Sequence, residues 1–513
     1  MSVDSTSAPA STPPPAPSTP DRSPHRGLLV SLAIIGIIIR VTVALTPPTP
    51  PMLWDHHEYV VWSQQMVQSG TLHLYDSLPP VGQVLNPLTS KVVVPRKFEQ
   101  QSANYPPLAA YLLRIQGAVL HAIDPDMVSN TKVARLTFSL AAIIGDLIIA
   151  AGCCVIAARL GGSAGVQAMA FGAVALGPPF ILDCAHWGQT DSWVLAPLVW
   201  MVVMMMRRRW IGAGLLWGVA LGLKTQAVLA APIWLVVLLV VRRQRRTVVA
   251  GGMLAGLVLL AAAVPFMLTS GWAWFERAFL FNLVHAYPTT TLYAFNVWYL
   301  DLLHCENDDA MQRFAGLTKD TWGKLMLAVA VLAAIIWSVR RRWRGGRTIV
   351  PFTALLLLAA VMLPTRVHER YILLPLPFLI AATGMHKRLW WALLPLMIAA
   401  TTQLLVLDWM HGGGGAHSWG YVVRKIHHQY DELRGTLSPD EFARLAPPRE
   451  KLTEIRPEFV HNRYATGDPY IEWTLTLLET LSAAGCCMLL VCPIRRRTAG
   501  ALQPTGLPIS AAG

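Results

Sequence analysis

The sequence predicts an all-α membrane helix bundle of about twelve transmembrane helices, with both termini in the cytoplasm. Three observations carry that prediction. The 513 residues are 54% hydrophobic and only 14% charged, with a mean hydropathy of +0.45, whereas a soluble protein carries about 25% charged residues. The apolar residues fall in long runs, and a run of roughly 18 is enough to cross a bilayer as a helix. Dense arginine clusters follow every second run, as the positive-inside rule requires of cytoplasmic loops.

Residues 1–26 are rich in Pro, Ser, Thr and Ala and cannot build a core, so they are expected to form a disordered cytoplasmic tail. The first span is expected over 27–46, followed by an outer segment over 47–131. Spans two to eleven fill 132–407, interrupted by an outer loop over 269–321. A second outer loop covers 408–472, the last span 473–493, and a cytoplasmic tail 494–513. Under this assignment Arg159, Arg207 to Arg209, Arg242 to Arg246, Arg340 to Arg344, Lys387 with Arg388, and Arg495 to Arg497 all fall on one side. Merging the two short runs that meet at Lys224 would break the alternation, so they count as two spans. The net charge of +13 therefore reads as membrane topology and not as a nucleic-acid surface. The cysteine pairs Cys153/Cys154 and Cys486/Cys487 lie inside apolar runs, and no cysteine spacing resembles a zinc site.

The same orientation collects the polar motifs on the outer side. Trp54 to Trp62 reads WDHHEYVVW. Asp55 and Glu58 are three apart and share a helix face, where two carboxylates suit activation of an acceptor hydroxyl or a divalent metal. A capping box with Asp55 as cap is the competing reading, and it leaves His56 and His57 unexplained. His186, Gln189 and Asp191 occupy a turn between two spans, suited to sugar hydroxyls or a donor head group, or simply a polar turn flanked by Trp187 and Trp193. Lys224, in LGLKTQAVLAAP with Gln226, is a cation that neutralises phosphate or else snorkels to the interface. His368, Glu369 and Arg370 form a sharp polar turn between apolar runs, and Arg366 adds a further charge. Positive charge there runs against the inside bias, and guanidinium and imidazole suit a lipid phosphate. Arg40 and Asp146 lie within spans, where charges pair or face a cavity; neither receives a role.

Together these motifs resemble the GT-C superfamily, in particular the dolichyl-phosphate-glucose glucosyltransferases of lipid-linked oligosaccharide assembly and their prokaryotic relatives. Asp55 with a nearby acid and Trp62 resembles that family's first-loop motif. Tyr105-Pro106-Pro107-Leu108 followed by Ala110-Tyr111 is similar to its next signature. His186 with Gln189 resembles its histidine turn, Lys224-Thr225-Gln226 its Lys-Gln turn, Asn296 with Trp298 its Asn-Phe-Trp element, and Val367 to Arg370 its Val-His-Glu-Lys element. The second acid falls three residues after Asp55 instead of two, and Trp187-Gly188 intervene in the histidine turn.

The resemblance implies a membrane hexosyltransferase, inverting, with Asp55 and Glu58 catalytic. His368, Arg370, Lys224 and Arg366 are expected on the donor phosphate, and His186, Gln189, Asp191, Gln226 and Tyr105 on the substrates. Nucleotide sugars are cytoplasmic, so an outer-face enzyme takes a polyprenyl-phosphate-linked sugar from membrane lipid and gives it to a lipid-linked or glycan acceptor. No cofactor and no metal ligand set is expected, although Asp55, Glu58 and the histidines have the chemistry for a divalent ion. A transporter or flippase, or a glycan polymerase or ligase, are the alternatives. Transport fits less well, because no internal repeat is visible and the polar groups gather at one face, not at the midplane. The altered motifs and the Ala/Arg-rich composition favour a bacterial inner membrane; the endoplasmic reticulum is the expectation for a eukaryotic chain.

Overall fold

A computed structural model describes residues 26–46, 54–76, 83–85, 92–93, 103–285, 289–305, 309–341, 345–413 and 469–491. They form an all-α, multi-pass membrane bundle. Seven helices are long and apolar enough to cross a bilayer, and five shorter apolar helices accompany them. In chain order the helices are α1 (Arg26–Ala44), α2 (Trp54–Gln68), α3 (Pro107–Ile123), α4 (Lys132–Arg159), α5 (Ala164–Ala175) and α6 (Pro178–Ile181). After a wide π-helical turn over Leu182–His186 come α7 (Asp191–Met206), α8 (Trp210–Leu223), α9 (Ala231–Val240), α10 (Arg245–Ser270) and α11 (Ala273–Phe275). The remainder are α12 (Val297–Cys305), α13 (Lys319–Arg340), α14 (Gly346–Met362), α15 (Leu376–Ala382), α16 (Trp390–Gly413) and α17 (Pro469–Val491). Two antiparallel hairpins of two-residue strands, Val84–Leu85 with Val92–Val93 and Arg313–Phe314 with Leu317–Thr318, a second π-helical stretch over Glu276–His285 and several 3₁₀ turns, among them Thr225–Ala230, accompany the helices.

Polar caps start several helices where the sequence places them: Thr131 Oγ1 accepts from Ala134 N at 3.2 Å at the head of α4, and Thr318 Oγ1 from Thr321 N at 3.1 Å at the head of α13. Inside the bundle, helices approach on small residues, because lipid offers no hydrophobic gain for helix association. Gly214 and Gly218 of α8, four apart, lie on Gly251 and Ala255 of α10, and a Cβ at Gly214 would overlap the Gly251 carbonyl. Arg40 and Asp146 form a fully buried pair that ties α1 to α4: Arg40 Nε and Nη2 donate to Asp146 Oδ2 at 3.0 and 2.9 Å.

The helix ends sort into two sets. At one, Arg159 approaches Arg207, Gly384 lies on Ala157, Gly346 lies on Met206, and Arg341 donates to the Val491 carbonyl. At the other lie Asp191, Lys224, Asp55 and Arg370. Asp191 opens α7 and Arg207 follows its end, so the 16 residues of α7 hold the two sets about 24 Å apart. Among the described residues, arginine clusters and polar motifs thus occupy opposite ends of the bundle.

One expectation differs from the structure. The stretch after Pro364, expected as a spanning helix, is broken into a 3₁₀ turn over Glu369–Leu373 and the seven-residue α15. Pro375 and Pro377 remove backbone donors there. The residues of α15 are all buried, and irregular backbone at membrane depth is tolerated where protein surrounds it. Residues 47–131, expected as an outer segment, contain α2 and α3. Ser63 Oγ donates to the Leu113 carbonyl at 2.9 Å between them. Ile115, Val119 and Ile123 form an exposed apolar face on α3, the pattern of a helix lying in a bilayer interface. Of the expected loop 408–472, residues 408–413 extend α16 and 469–472 open α17. Residues 414–468 lie outside the described residues, as do the tails 1–25 and 492–513.

Candidate active site

Asp55 is the second residue of α2, inside the first turn and not before it, and its carboxylate is taken by distant partners instead of by the helix end. Oδ2 accepts from Gln189 Nε2 at 2.9 Å and from Arg370 Nη2 at 3.0 Å. The Asp55 side chain is 34% exposed. Both bonds land on one oxygen, which turns Oδ1 away from the clamp. Gln189 reaches Asp55 because the chain reverses at Gly188, whose φ of 66° is a left-handed conformation open to glycine at no steric cost. The Trp187-Gly188 insertion noted in the sequence is therefore the turn that delivers Gln189.

Arg370 is the hub. Nη2 bonds Asp55, Nη1 bonds Glu369 Oε1 at 3.0 Å, and Nε lies 3.4 Å from Asp191 Oδ2. Burial disfavours its charge, and Asp55, Glu369 and Asp191 more than reverse that, so its pKa is raised. Burial pushes the Glu369 carboxyl up, but a hydrogen bond from His368 and the Arg370 charge bring it down to about 2. Asp191 takes a second cation on its other oxygen: Lys224 Nζ donates to Oδ1 at 2.6 Å, and both side chains are under 5% exposed. Asp183, also buried, stands near Asp191 and Lys224.

Aromatic hydroxyls wall this cluster. The Tyr59 and Tyr105 oxygens are 2.7 Å apart, Tyr59 donates to Gln189 Oε1 at 3.3 Å, and Thr190 donates to the Tyr105 hydroxyl at 3.1 Å. Lys224 Nζ sits 5.8 Å from the centre of the Tyr105 ring. Gln226 Nε2 donates to the Tyr371 hydroxyl at 2.6 Å. His368 is half-buried at the edge, with Nδ1 3.5 Å from both Glu369 Oε2 and Arg370 Nη1.

Of the residues expected from sequence, the structure joins Asp55, Gln189, Asp191, Lys224, Tyr105 and Arg370 in one network. His368 borders it through Glu369, and Gln226 through Tyr371. Glu58 is half-buried one turn along α2. His186 ends the π-helical turn, and its carbonyl accepts from Arg135 Nη2 at 2.9 Å. Arg366 has its Nε 3.3 Å from Asp320 Oδ1, four residues from Arg370 but engaged with a different acid. Lys224 is buried against Asp191, not presented at the surface as a snorkelling lysine would be.

His56 and His57 have a structural explanation. His56 Nε2 donates to the Ser129 carbonyl at 2.6 Å, and His57 Nδ1 lies 2.8 Å from Ser129 Oγ, fastening α2 to the segment before α4. Burial drives the His56 imidazole down to about 4. Asn296 is likewise a buckle. Its Oδ1 accepts from Trp298 N at 3.0 Å at the start of α12, and its Nδ2 donates to the Val361 and Pro364 carbonyls. Trp298 Nε1 donates to the Leu363 carbonyl at 2.7 Å. Glu369 receives no role of its own in the polar turn read from the sequence, and Tyr59 and Tyr371 are not expected there as site residues. Signals existed: Tyr59 follows Asp55 by four, one helical turn, and the other two flank Arg370.

Among the described residues, no three His, Cys, Asp or Glu side chains converge as a metal site would. A family model described as "ALG6, ALG8 glycosyltransferase family" matches residues 97–410, more than half of the chain. The match includes Tyr105, Gln189, Lys224 and Arg370 and begins after Asp55, whose place at the site rests on geometry. No curated protein matches the chain.

Proposed function

The chain belongs to the ALG6, ALG8 glycosyltransferase family, and from that premise we propose that it transfers a hexose from a polyprenyl-phosphate donor to a lipid-linked or glycan acceptor, with inversion. The observation that carries this reading is the one-sided clamp on Asp55. Gln189 and Arg370 hold Oδ2, leaving Oδ1 to accept the proton of an acceptor hydroxyl. That hydroxyl oxygen attacks the anomeric carbon as the bond to the phosphate oxygen breaks. The leaving phosphate keeps the bonding electrons and gains one negative charge. His368, partly exposed beside Arg370, is in reach of such a head group, and donors aimed at developing charge contribute on the order of 3 kcal/mol each. Arg370 already faces three carboxylates, so its first task is to hold Asp55, with phosphate stabilisation secondary. No step in this scheme draws on a metal.

The site end faces away from the cytoplasm in this reading, because the arginine-bearing ends belong inside. A bacterial inner membrane suits the composition. The test is Asp55→Asn in purified enzyme, assayed with radiolabelled polyprenyl-phosphate glucose and mannose in detergent, with a membrane lipid extract as acceptor. Loss of a general base lowers turnover by about 10²- to 10⁴-fold. A well-folded Asp55→Asn protein that transfers sugar at the native rate would refute the assignment.

A further inference from the structure

Lys224 and Asp191 form an almost fully buried pair within the cluster, and neither has an obvious path to substrate. Lys224 Nζ and Asp191 Oδ1 are 2.6 Å apart, with side-chain exposures of 3% and 1%. Tyr105 stands beside the lysine and its hydroxyl bonds Thr190 and Tyr59. A lysine enclosed in this way cannot grip a lipid phosphate without unmaking its pair with Asp191. Yet the pair is linked to the reacting carboxylate through a single side chain. Asp191 Oδ2 faces Arg370 Nε at 3.4 Å, and Arg370 Nη2 bonds Asp55 Oδ2 at 3.0 Å.

We propose that Lys224 and Asp191 are positioning residues for the transfer reaction, forming a buried relay from Lys224 through Asp191 and Arg370 to Asp55 that fixes which carboxylate oxygen meets the acceptor. The proposal rests on the reading of Asp55 as general base. Its physical logic is a division of charge. Asp191 has a hydrogen-bonded cation at Oδ1 and an ion-pair contact without a hydrogen bond at Oδ2, and Arg370 has one carboxylate near each nitrogen. Removing Lys224 leaves Asp191 with one cation for two oxygens in a site closed to water, where the attraction of the remaining pair is strong. Arg370 then shifts toward Asp191 and away from Asp55, and Gln189 alone holds Oδ2. Asp55 stays in place but is no longer aimed.

The experiment compares Lys224→Met, Lys224→Arg and Lys224→Met/Asp191→Asn with the native enzyme, measuring kcat, donor KM, thermal midpoint and binding of radiolabelled farnesyl phosphate. The relay predicts that Lys224→Met lowers kcat by about 10- to 100-fold, the scale of a misplaced catalytic group. Donor KM and farnesyl phosphate binding stay within about threefold, since the lysine does not touch phosphate. Lys224→Arg, which keeps the charge, recovers much of kcat. The double variant regains part of the thermal stability, because position 191 no longer carries a buried carboxylate deprived of its lysine, but not kcat, because asparagine no longer anchors Arg370 Nε. In an Asp55→Asn background, Lys224→Met causes no further loss. If Lys224→Met does not fold, Asp191→Asn reads the same split between kcat and donor KM.

Three results would overturn the relay: weakened farnesyl phosphate binding with kcat intact, recovery of kcat along with stability in the double variant, or a full further loss in the Asp55→Asn background. Native turnover by Asp55→Asn alone would instead remove the base reading. A slow Asp55→Asn beside a native-rate Lys224→Met would remove the relay only.

Discussion

Arg40→Met tests whether the pair inside the membrane holds the site's scaffold. Arg40 is fully buried and Asp146 is 1% exposed. Besides its two bonds to Asp146, Arg40 donates from Nη2 to the Val174 carbonyl at 3.0 Å and from Nη1 to the Gly36 carbonyl at 3.3 Å and to Ala175. Asp146 Oδ1 accepts from Ser192, the residue after Asp191. Methionine fills most of the arginine's volume but strips Asp146 of its counterion and uncaps the last carbonyls of α5. Breaking a buried pair from one side costs about 3–5 kcal/mol, and Asp146→Leu should cost a similar amount by stranding the guanidinium. Removing both charges with Arg40→Met/Asp146→Leu leaves only neutral groups unpaired, at about 1–3 kcal/mol each, offset by new apolar contact. The double variant should therefore be more stable than either single one, with a coupling energy of about 2 kcal/mol or more. Unfolding in mixed micelles of rising dodecyl sulfate fraction, followed by tryptophan fluorescence, measures all four proteins. The single variants should also lose kcat, because Ser192 anchors the start of α7 beside Asp191. Single variants within about 1 kcal/mol of native, or a double variant as unstable as the sum of the singles, would refute the reasoning.

Two further predictions concern the site. Glu369 has its carboxyl held at about 2, below its ordinary 4.5, so its contribution is present above pH 4.5 and is lost as pH falls toward 2. The shift corresponds to about 3 kcal/mol. The stability gap between native protein and Glu369→Gln should be wide near about pH 6 and narrow near about pH 3, and a constant gap would contradict it. Gly188→Ala forces a side chain into the left-handed region at a φ of 66°, for about 1–2 kcal/mol. The added Cβ meets His56 only at ordinary contact distance, 3.5 Å. Stability should therefore drop modestly while kcat drops about 10-fold or more through displacement of Gln189; equal kcat for Ala and Gly would show that the turn does not aim Gln189.

The all-α membrane class was legible in the sequence because its physics is local, and the expected topology rests on signals that are local as well. An apolar run long enough to cross a bilayer is visible residue by residue, and the arginines that end every second run sit beside the helices they orient. The motifs were legible as types: an acid at 55, a Gln and an acid after the histidine turn, cations at 224 and 370. The stretch at Pro375 and Pro377 read as a spanning helix because composition does not reveal whether a segment meets lipid or protein, and only burial on all sides makes a broken helix tolerable there. Pairing was likewise beyond local reading. Arg366 and Arg370 lie four residues apart, yet one faces Asp320 and the other faces Asp55, 315 positions away. The sequence by itself determined which charges this protein carries and the end of the bundle at which they gather. Tertiary packing alone decided which acid each cation faces, because burial makes an unpaired charge far costlier than one in water, and the partner that relieves it is set by how distant helices dock.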